Sequence, residues 1–280
     1  MLSGFSEILV ERRSRGAAAG AFTCYDVTTA LGVLRAAEAR SVGVILLVSE
    51  ASYAGREGSA LVSALNTVAQ RSTVPVCVQL DHVADETLIA RALADGVGAV
   101  MADGSRLPTD ENAAFVERIR ARTHAVAGVE VELGHIEGDE DIAAAVAAGA
   151  LTDPQEAAEF VVRTRSDCLA VSIGNIHGTY ADAPQLDWER LERIRDAVGD
   201  VPLSLHGASG LADEDLRRAV SLGITKVNVN TEIRIRYIEE LAARLPEVTS
   251  GFRLLELNSA IVLAVAEVVD AKLGLLSGLR

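Results

Sequence analysis

The chain has 280 residues, a net charge of −14 and a pI near 4.8, a balance that argues against nucleic acid or an anionic membrane surface as partner. An anionic substrate must then be held by local features, against the global field. No charged-then-apolar leader opens the chain and no apolar run reaches the ~18 residues of a membrane span, so a soluble cytoplasmic protein is expected.

Residues 3–15 have helical spacing (Phe5, Ile8, Leu9) and precede the first strand, where they could plug the base of a barrel. Strand and helix then alternate: strands at 18–23, 42–48, 75–80, 99–101, 126–131, 168–173, 201–205 and 224–229, with helices at 28–40, 58–71, 85–95, 109–122, 187–198 and 213–222 between them. Between the fifth and sixth strands, residues 132–149 form a longer connection of the kind that serves as a lid or active-site loop, before Thr152-Asp153-Pro154 caps a fresh helix. Helices at 232–245 and 254–276 finish the chain, the last strongly apolar. Eight strand–helix units with mostly short connections predict one domain over 1–280, a (β/α)8 TIM barrel of the α/β class with an N-terminal helix and extra C-terminal helices. Cys24, Cys77 and Cys168 fall in or beside apolar strands without short spacing, and read as buried reduced thiols.

The chemistry collects where strands end. Of five histidines, His82, His177 and His206 follow the third, sixth and seventh strands, and in a barrel those ends share one face. Each alone reads as an ordinary hydrogen-bonded residue; together, with room for an exogenous ligand, they make the arrangement of a catalytic zinc. Asp81, Asp103, Glu130 and Glu132 occupy the same rim and could orient imidazoles, hold a displaced metal or move protons, whereas Asp85 and Asp110 read as helix caps. His124 and His135 stay outside this site. The seventh and eighth strands end in small or polar residues that open helices, at Gly207-Ala208-Ser209-Gly210 and Asn228-Val229-Asn230-Thr231, and such loops bind phosphate through backbone N–H groups. Two of the 26 basic residues are lysine, Lys226 and Lys272; only the strand residue Lys226 could carry a rival Schiff-base mechanism.

With these residues in place the sequence resembles the class II, zinc-dependent ketose-bisphosphate aldolases, the fructose- and tagatose-bisphosphate aldolase family. The likeness runs through Ala21-Phe22, Tyr53-Ala54-Gly55, Leu80-Asp81-His82, Met101-Ala102-Asp103-Gly104-Ser105, Val131-Glu132-Leu133-Gly134, Gly174-Asn175-Ile176-His177-Gly178-Thr179-Tyr180, Leu205-His206-Gly207-Ala208-Ser209 and Lys226-Val227-Asn228-Val229-Asn230-Thr231, in order. It implies His82, His177 and His206 as zinc ligands, with Asp103 and Glu132 near an alternative metal position; another divalent metal, and a monovalent cation besides, are compatible with it. It implies phosphate contacts from Gly178, Gly207, Ser209, Asn230 and Thr231, Asn228 close to the enediolate, and Ser49 near the aldehyde. Asp81 then exchanges a proton with the aldehyde-derived hydroxyl. Glu140, in a segment resembling the family's Gly-Gly-x-Glu-Asp lid, removes a proton from dihydroxyacetone phosphate. The expected partner is a small sugar phosphate, and the expected assembly a homodimer or homotetramer.

Departures gather on the aldehyde side and the lid. Thr23 stands where the family has Asn, the loop between Ser49 and Tyr53 is shortened, Glu137 replaces the first lid glycine, and no arginine near Ser250-Gly251-Phe252-Arg253-Leu254 is recognisable as the reader of a far phosphate. Arg56, Arg234, Arg236 or Arg253 could substitute for it. The resulting expectation is reversible cleavage of a ketose (bis)phosphate to dihydroxyacetone phosphate and an aldehyde that is smaller or less charged than a triose phosphate. The alternatives are a class II aldolase of another acceptor, such as a deoxy-keto sugar acid phosphate or a specialised metabolite, and a silent barrel that binds a sugar phosphate.

Overall fold

The structure is a computed structural model that describes residues 1–123, 126–136, 150–177 and 184–278. In chain order its elements begin α1 (Phe5–Ser14), β1 (Ala19–Thr23), α2 (Val27–Arg40), β2 (Val44–Ser49), α3 (Glu50–Ala54), α4 (Gly58–Arg71), β3 (Val76–Val83), α5 (Glu86–Ala94), β4 (Ala99–Ala102) and α6 (Thr109–Thr123). They continue β5 (Gly128–Leu133), α7 (Pro154–Thr164), β6 (Cys168–Val171), α8 (Trp188–Val198), β7 (Leu203–Leu205), α9 (Asp213–Ser221), β8 (Ile224–Val229), α10 (Thr231–Thr249) and α11 (Leu254–Leu275). Every strand pairs in parallel with its sequence neighbours, and β1 also pairs with β8, closing the predicted eight-stranded barrel. No helix among the described residues is long and apolar enough to cross a membrane.

Alternation along the strands sorts side chains between two cores. Val76, Val78 and Leu80 of β3, Val129, Val131 and Leu133 of β5, and Val227 and Val229 of β8 pack outward against the helices in one cluster. The opposite face of the strands looks into the barrel, where Ala19, Ala21, Ile45, Leu47, Cys77, Ala99 and Cys168 join Phe5, Ile8 and Leu9 of α1. Thus α1 stoppers the base as expected. Gly128 makes room for it, since a Cβ there would stand 2.7 Å from the Phe5 side chain. Two steps along the same inward face, polar residues take over: Gln79 and Asp81, Glu130 and Glu132, Lys226 and Asn228 are all buried. The three cysteines are free and buried, and burial pushes the Cys77 thiol up to about 12.

Several boundaries moved for identifiable reasons. The β3–β4 pairing shifts register between Leu80 and Val83, and His82 inside that bulge has φ 48°; such irregularities re-aim side chains at sites. The ladder of β7 starts after Pro202, which has no N–H to donate. The shortened stretch after Ser49 is a helix, α3, whose N-terminus Ser49 caps by accepting the Ser52 N–H at 3.3 Å. The last helix buries Leu257, Ile261, Val265, Val269 and Leu273, a strict four-residue repeat, and meets α2 where a Cβ on Gly32 would lie 2.6 Å from Val265.

Candidate active site

At the carboxyl ends of the strands His82, His177 and His206 converge, with ring centroids 4.7 to 5.8 Å apart. Their ring nitrogens form one potential metal-holding group, and His82 with Asp103 and Glu132 forms a second. Partners behind the rings decide which nitrogens face the centre. Asp103 Oδ2 lies 2.8 Å from His82 Nδ1, and Glu130 Oε1 lies 3.0 Å from His206 Nε2, so His82 Nε2 and His206 Nδ1 point inward, 2.7 Å apart. Asn175 steers the chain toward His177: its Nδ2 donates to the carbonyls of Val171 and His206, and its Oδ1 accepts the Ile173 N–H. Burial works against a charged His82, yet Asp81, Asp103 and Glu132 around it raise its pKa well above the usual value. A buried cluster so rich in carboxylate suits a cation. The Glu132 Oε2 atom supports that fit: it is buried and has no hydrogen-bond partner among the described residues, while Oε1 accepts the Ile136 N–H at 3.0 Å.

Beneath the histidines lies a charged network. Glu130, fully buried, accepts from Gln79 Nε2 at 2.5 Å and from Lys226 Nζ at 2.9 Å as well as facing His206. Burial opposes its ionisation, but Lys226 and His206 outweigh it and hold the carboxyl well below the usual range. Burial likewise works against the charged form of Lys226, but Glu130 and Asp81 outweigh it and raise the pKa above the usual value, so the amine stays an ammonium with no lone pair for a carbonyl. Lys226 also donates to Asn228 Oδ1, and Asn228 Nδ2 donates to Asp81 Oδ2 at 3.1 Å. The one residue that could have carried a Schiff base is therefore a counter-ion that orients Asn228 and, through it, Asp81. Glu130→Ala is expected to cost about 3–5 kcal/mol of folding stability, because it leaves the Lys226 ammonium buried without its carboxylate. Denaturant unfolding checks this, with Glu130→Ala/Lys226→Met recovering part of the loss; a single variant as stable as wild type would refute the pairing.

Beside the histidines, Gly207, Ala208, Ser209, Asn228, Asn230 and Thr231 line a small cleft with His177, which brings together four of the residues that the resemblance gives as phosphate contacts. Gly207 is required there: its φ is +61° and a Cβ would collide with the Ile176 carbonyl. Thr231 opens α10, whose N-cap Asn230 makes no side-chain cap bond and instead accepts the Tyr25 hydroxyl at 3.0 Å. Ser209 Oγ donates to Glu232 at 2.7 Å, and Lys272 pairs with the same carboxylate at 2.6 Å. Gly178 and Glu140 lie outside the described residues, as does His124.

A larger cavity of about 740 Å³ opens outward from Asp81, His82 and His177. Ser49 lines it, together with Glu50, Asp103, Arg106, Arg118 and His135. Four of these six were not anticipated. His135 lines the cavity wall but joins neither potential metal group; its Nδ1 lies 3.1 Å from Ser105 Oγ and 3.8 Å from Glu132. None of Arg56, Arg234, Arg236 and Arg253 lines the cavity; Arg236 pairs with Glu240 and Glu267, and Arg253 with Glu256. Arg106 and Arg118 stand there instead, while Thr23 and the altered stretch after Ser49 remain as the other departures on this side. In sequence they were inconspicuous: Arg106 trails the Asp103-Gly104-Ser105 motif and Arg118 looks like one more solvated helix residue.

The match to known proteins runs through the same elements. The sequence profile of class-II fructose-bisphosphate aldolase matches residues 4–278. The D-tagatose-1,6-bisphosphate aldolase subunit GatY of Klebsiella oxytoca is 41% identical over 237 residues, 84% of this chain and 83% of that protein. The crystal structure of the YdjI aldolase of Escherichia coli K12 superposes with a TM-score of 0.87 at 32% identity, covering 99% of this chain and 97% of that one. The fructose-bisphosphate aldolase of Campylobacter jejuni shares the fold, with a TM-score of 0.82 at 20% identity over 98% of this chain and 95% of that one. A closed barrel with histidines and acids gathered at its strand ends, matched over nearly its full length, makes this chain an aldolase, a carbon–carbon lyase, of the class II fructose-bisphosphate aldolase family.

Proposed function

We propose that the protein is a zinc-dependent aldolase that reversibly cleaves a ketose (bis)phosphate to dihydroxyacetone phosphate and an aldehyde. The observation that carries this reading is the placement of three converging imidazoles between the small cleft at the start of α10 and a cavity that reaches Asp81. His82, His177 and His206 would hold the metal, with Asp103 and Glu132 offering an alternative position through His82. When bound, a divalent cation supplies Lewis-acid polarisation of the substrate carbonyl.

The chain's own residues do the rest. Gly207, Ser209, Asn230 and Thr231, with Gly178, take the phosphate at the start of α10, where backbone N–H groups and the helix dipole favour negative charge. Asn228, held by Lys226, presents its amide to oxygen atoms of the substrate's enediolate form. Asp81, buried and already accepting from Asn228, takes the proton of the aldehyde-derived hydroxyl in cleavage and returns it in addition. Glu140 exchanges the C3 proton of dihydroxyacetone phosphate. Ser49, at the end of β2 beside Asp81 in the register, contacts the aldehyde. The same reading places the enzyme in the cytoplasm as a homodimer or homotetramer, which the exposed apolar residues Phe252, Leu254 and Leu255 support.

A coupled cleavage assay across ketose mono- and bisphosphates tests the activity; silence on every member, with sugar phosphate still bound, would leave the non-catalytic barrel standing. The phosphate seat has its own test. Ser209→Asp sets a carboxylate where the anion should lie, and calorimetry is expected to show binding of dihydroxyacetone phosphate weakened at least tenfold, the effect of roughly 1.4 kcal/mol, without unfolding. Unchanged affinity would put the phosphate elsewhere.

A further inference from the structure

The chain's two lysines, Lys226 and Lys272, are each paired with a glutamate, and the chemistry above accounts for the first pair alone. Lys272, in the last turn of α11, lies 2.6 Å from Oε1 of Glu232, which stands in the first turn of α10. Each charge suits the end of its own helix, so by itself the pair reads as a staple between two helix termini. The other contacts of the carboxylate point further. Glu232 Oε2 accepts the Ser209 hydroxyl at 2.7 Å, and Oε1 faces the Gly210 N–H at 3.4 Å. A serine has one proton to donate, so Glu232 and a phosphate in the adjoining cleft compete for the Ser209 hydroxyl as well as for the positive end of α10. In a chain of net charge −14, a carboxylate in that place repels the substrate unless its charge is offset. Lys272 can offset it: its side chain is 12% exposed, so solvent screens the pair little. Neither Lys272 nor Glu232 lines the cleft itself.

We propose that Lys272 is a positioning residue for the substrate's phosphate: it neutralises Glu232 and holds that carboxylate back, so that the cleft admits a second anion. This rests on the phosphate seat of the reading above and deepens it by naming what controls its affinity. On binding, the Ser209 hydroxyl turns from Glu232 to the phosphate, while Lys272 keeps the released carboxylate in place. A residue of the last helix, outside the barrel, thus sets how tightly the phosphate is held.

Calorimetry of dihydroxyacetone phosphate on the metal-loaded enzyme tests this, because breaking the pair from its two sides has opposite consequences. Lys272→Met leaves the carboxylate uncompensated and should weaken binding by about tenfold, the effect of a unit charge close to the anion. Glu232→Gln breaks the same ion pair but removes the repelling charge, so affinity should equal or exceed that of the wild type. Glu232→Gln/Lys272→Met should recover most of the loss, and Lys272→Arg should keep most of the affinity. In exchange of the dihydroxyacetone phosphate C3 proton, the Lys272→Met effect should fall on KM and leave kcat nearly unchanged. A staple between helices predicts otherwise, with both single variants losing stability and affinity alike. That pattern, or unchanged affinity in Lys272→Met, overturns the proposal. Ser209→Asp separates the two readings: if it weakens binding and Lys272→Met does not, this inference alone fails, whereas if it leaves binding unchanged the phosphate lies elsewhere and both fail.

Discussion

Chelation of the enzyme is expected to abolish cleavage and dihydroxyacetone phosphate proton exchange together, by a factor of 10³ or more, and added zinc to restore both. Lewis-acid stabilisation by a bound cation contributes several kcal/mol, and each 1.36 kcal/mol of barrier is tenfold in rate. If the metal sits among the three imidazoles as proposed, both reactions draw on it and neither should survive alone. Stability should follow in parallel, since a cation that binds only the folded chain raises the melting temperature by mass action. Borohydride added with substrate should trap nothing on Lys226, because the ammonium is buried against Glu130. Full activity in metal-free protein, or a reduced adduct at Lys226, would overturn the metal assignment.

Separating the two acids gives the second large effect. Asp81→Asn preserves shape but removes the proton acceptor, and cleavage of the full ketose should fall by about 10²–10⁴, the usual loss of a general base. Exchange of the dihydroxyacetone phosphate proton should persist, since that half of the chemistry does not involve the aldehyde hydroxyl. Glu140→Gln should show the reverse order, slowing exchange by ~10² or more. Glu140 owes its role to the resemblance of its segment to the family lid, so this experiment is the direct test of it. The opposite pattern would mean that the two roles are exchanged.

The barrel was legible in the sequence because its signals are local and repetitive: apolar strands, capped helices, short connections. The convergence of His82, His177 and His206 was legible for a different reason, namely that a barrel brings all strand ends to one face whatever their separation along the chain. Pairings between strands left little trace. Glu130 reads as a rim acid, and only the closed barrel shows it under His206 and against Lys226. The helix after Ser49 leaves little trace in the sequence, because a stretch without the family's glycine looks like a shortened loop, whereas losing glycine lets the chain enter a helical turn directly. His135 looks like a plain loop residue in the sequence, but β5 extends two residues further than its apolar run and carries the loop toward Ser105. Arg106 and Arg118 do not stand out in the sequence, because arginines are abundant in this chain and only their common cavity distinguishes them.

The network joining Gln79, Glu130, Lys226, Asn228, Asp81 and His206 has a consequence for how such an enzyme can diversify. Every member is buried and shares a proton or a charge with another, so single substitutions meet a stability penalty before any new chemistry can be selected, and workable changes must arrive in compensating pairs. The cavity wall is under no such constraint: Arg106 and Glu50 stand on loop or helix ends at its rim, where one change alters what is recognised while the barrel beneath stays intact. Descendants of this chain should therefore differ in the aldehydes they accept long before they differ in the bond they cleave.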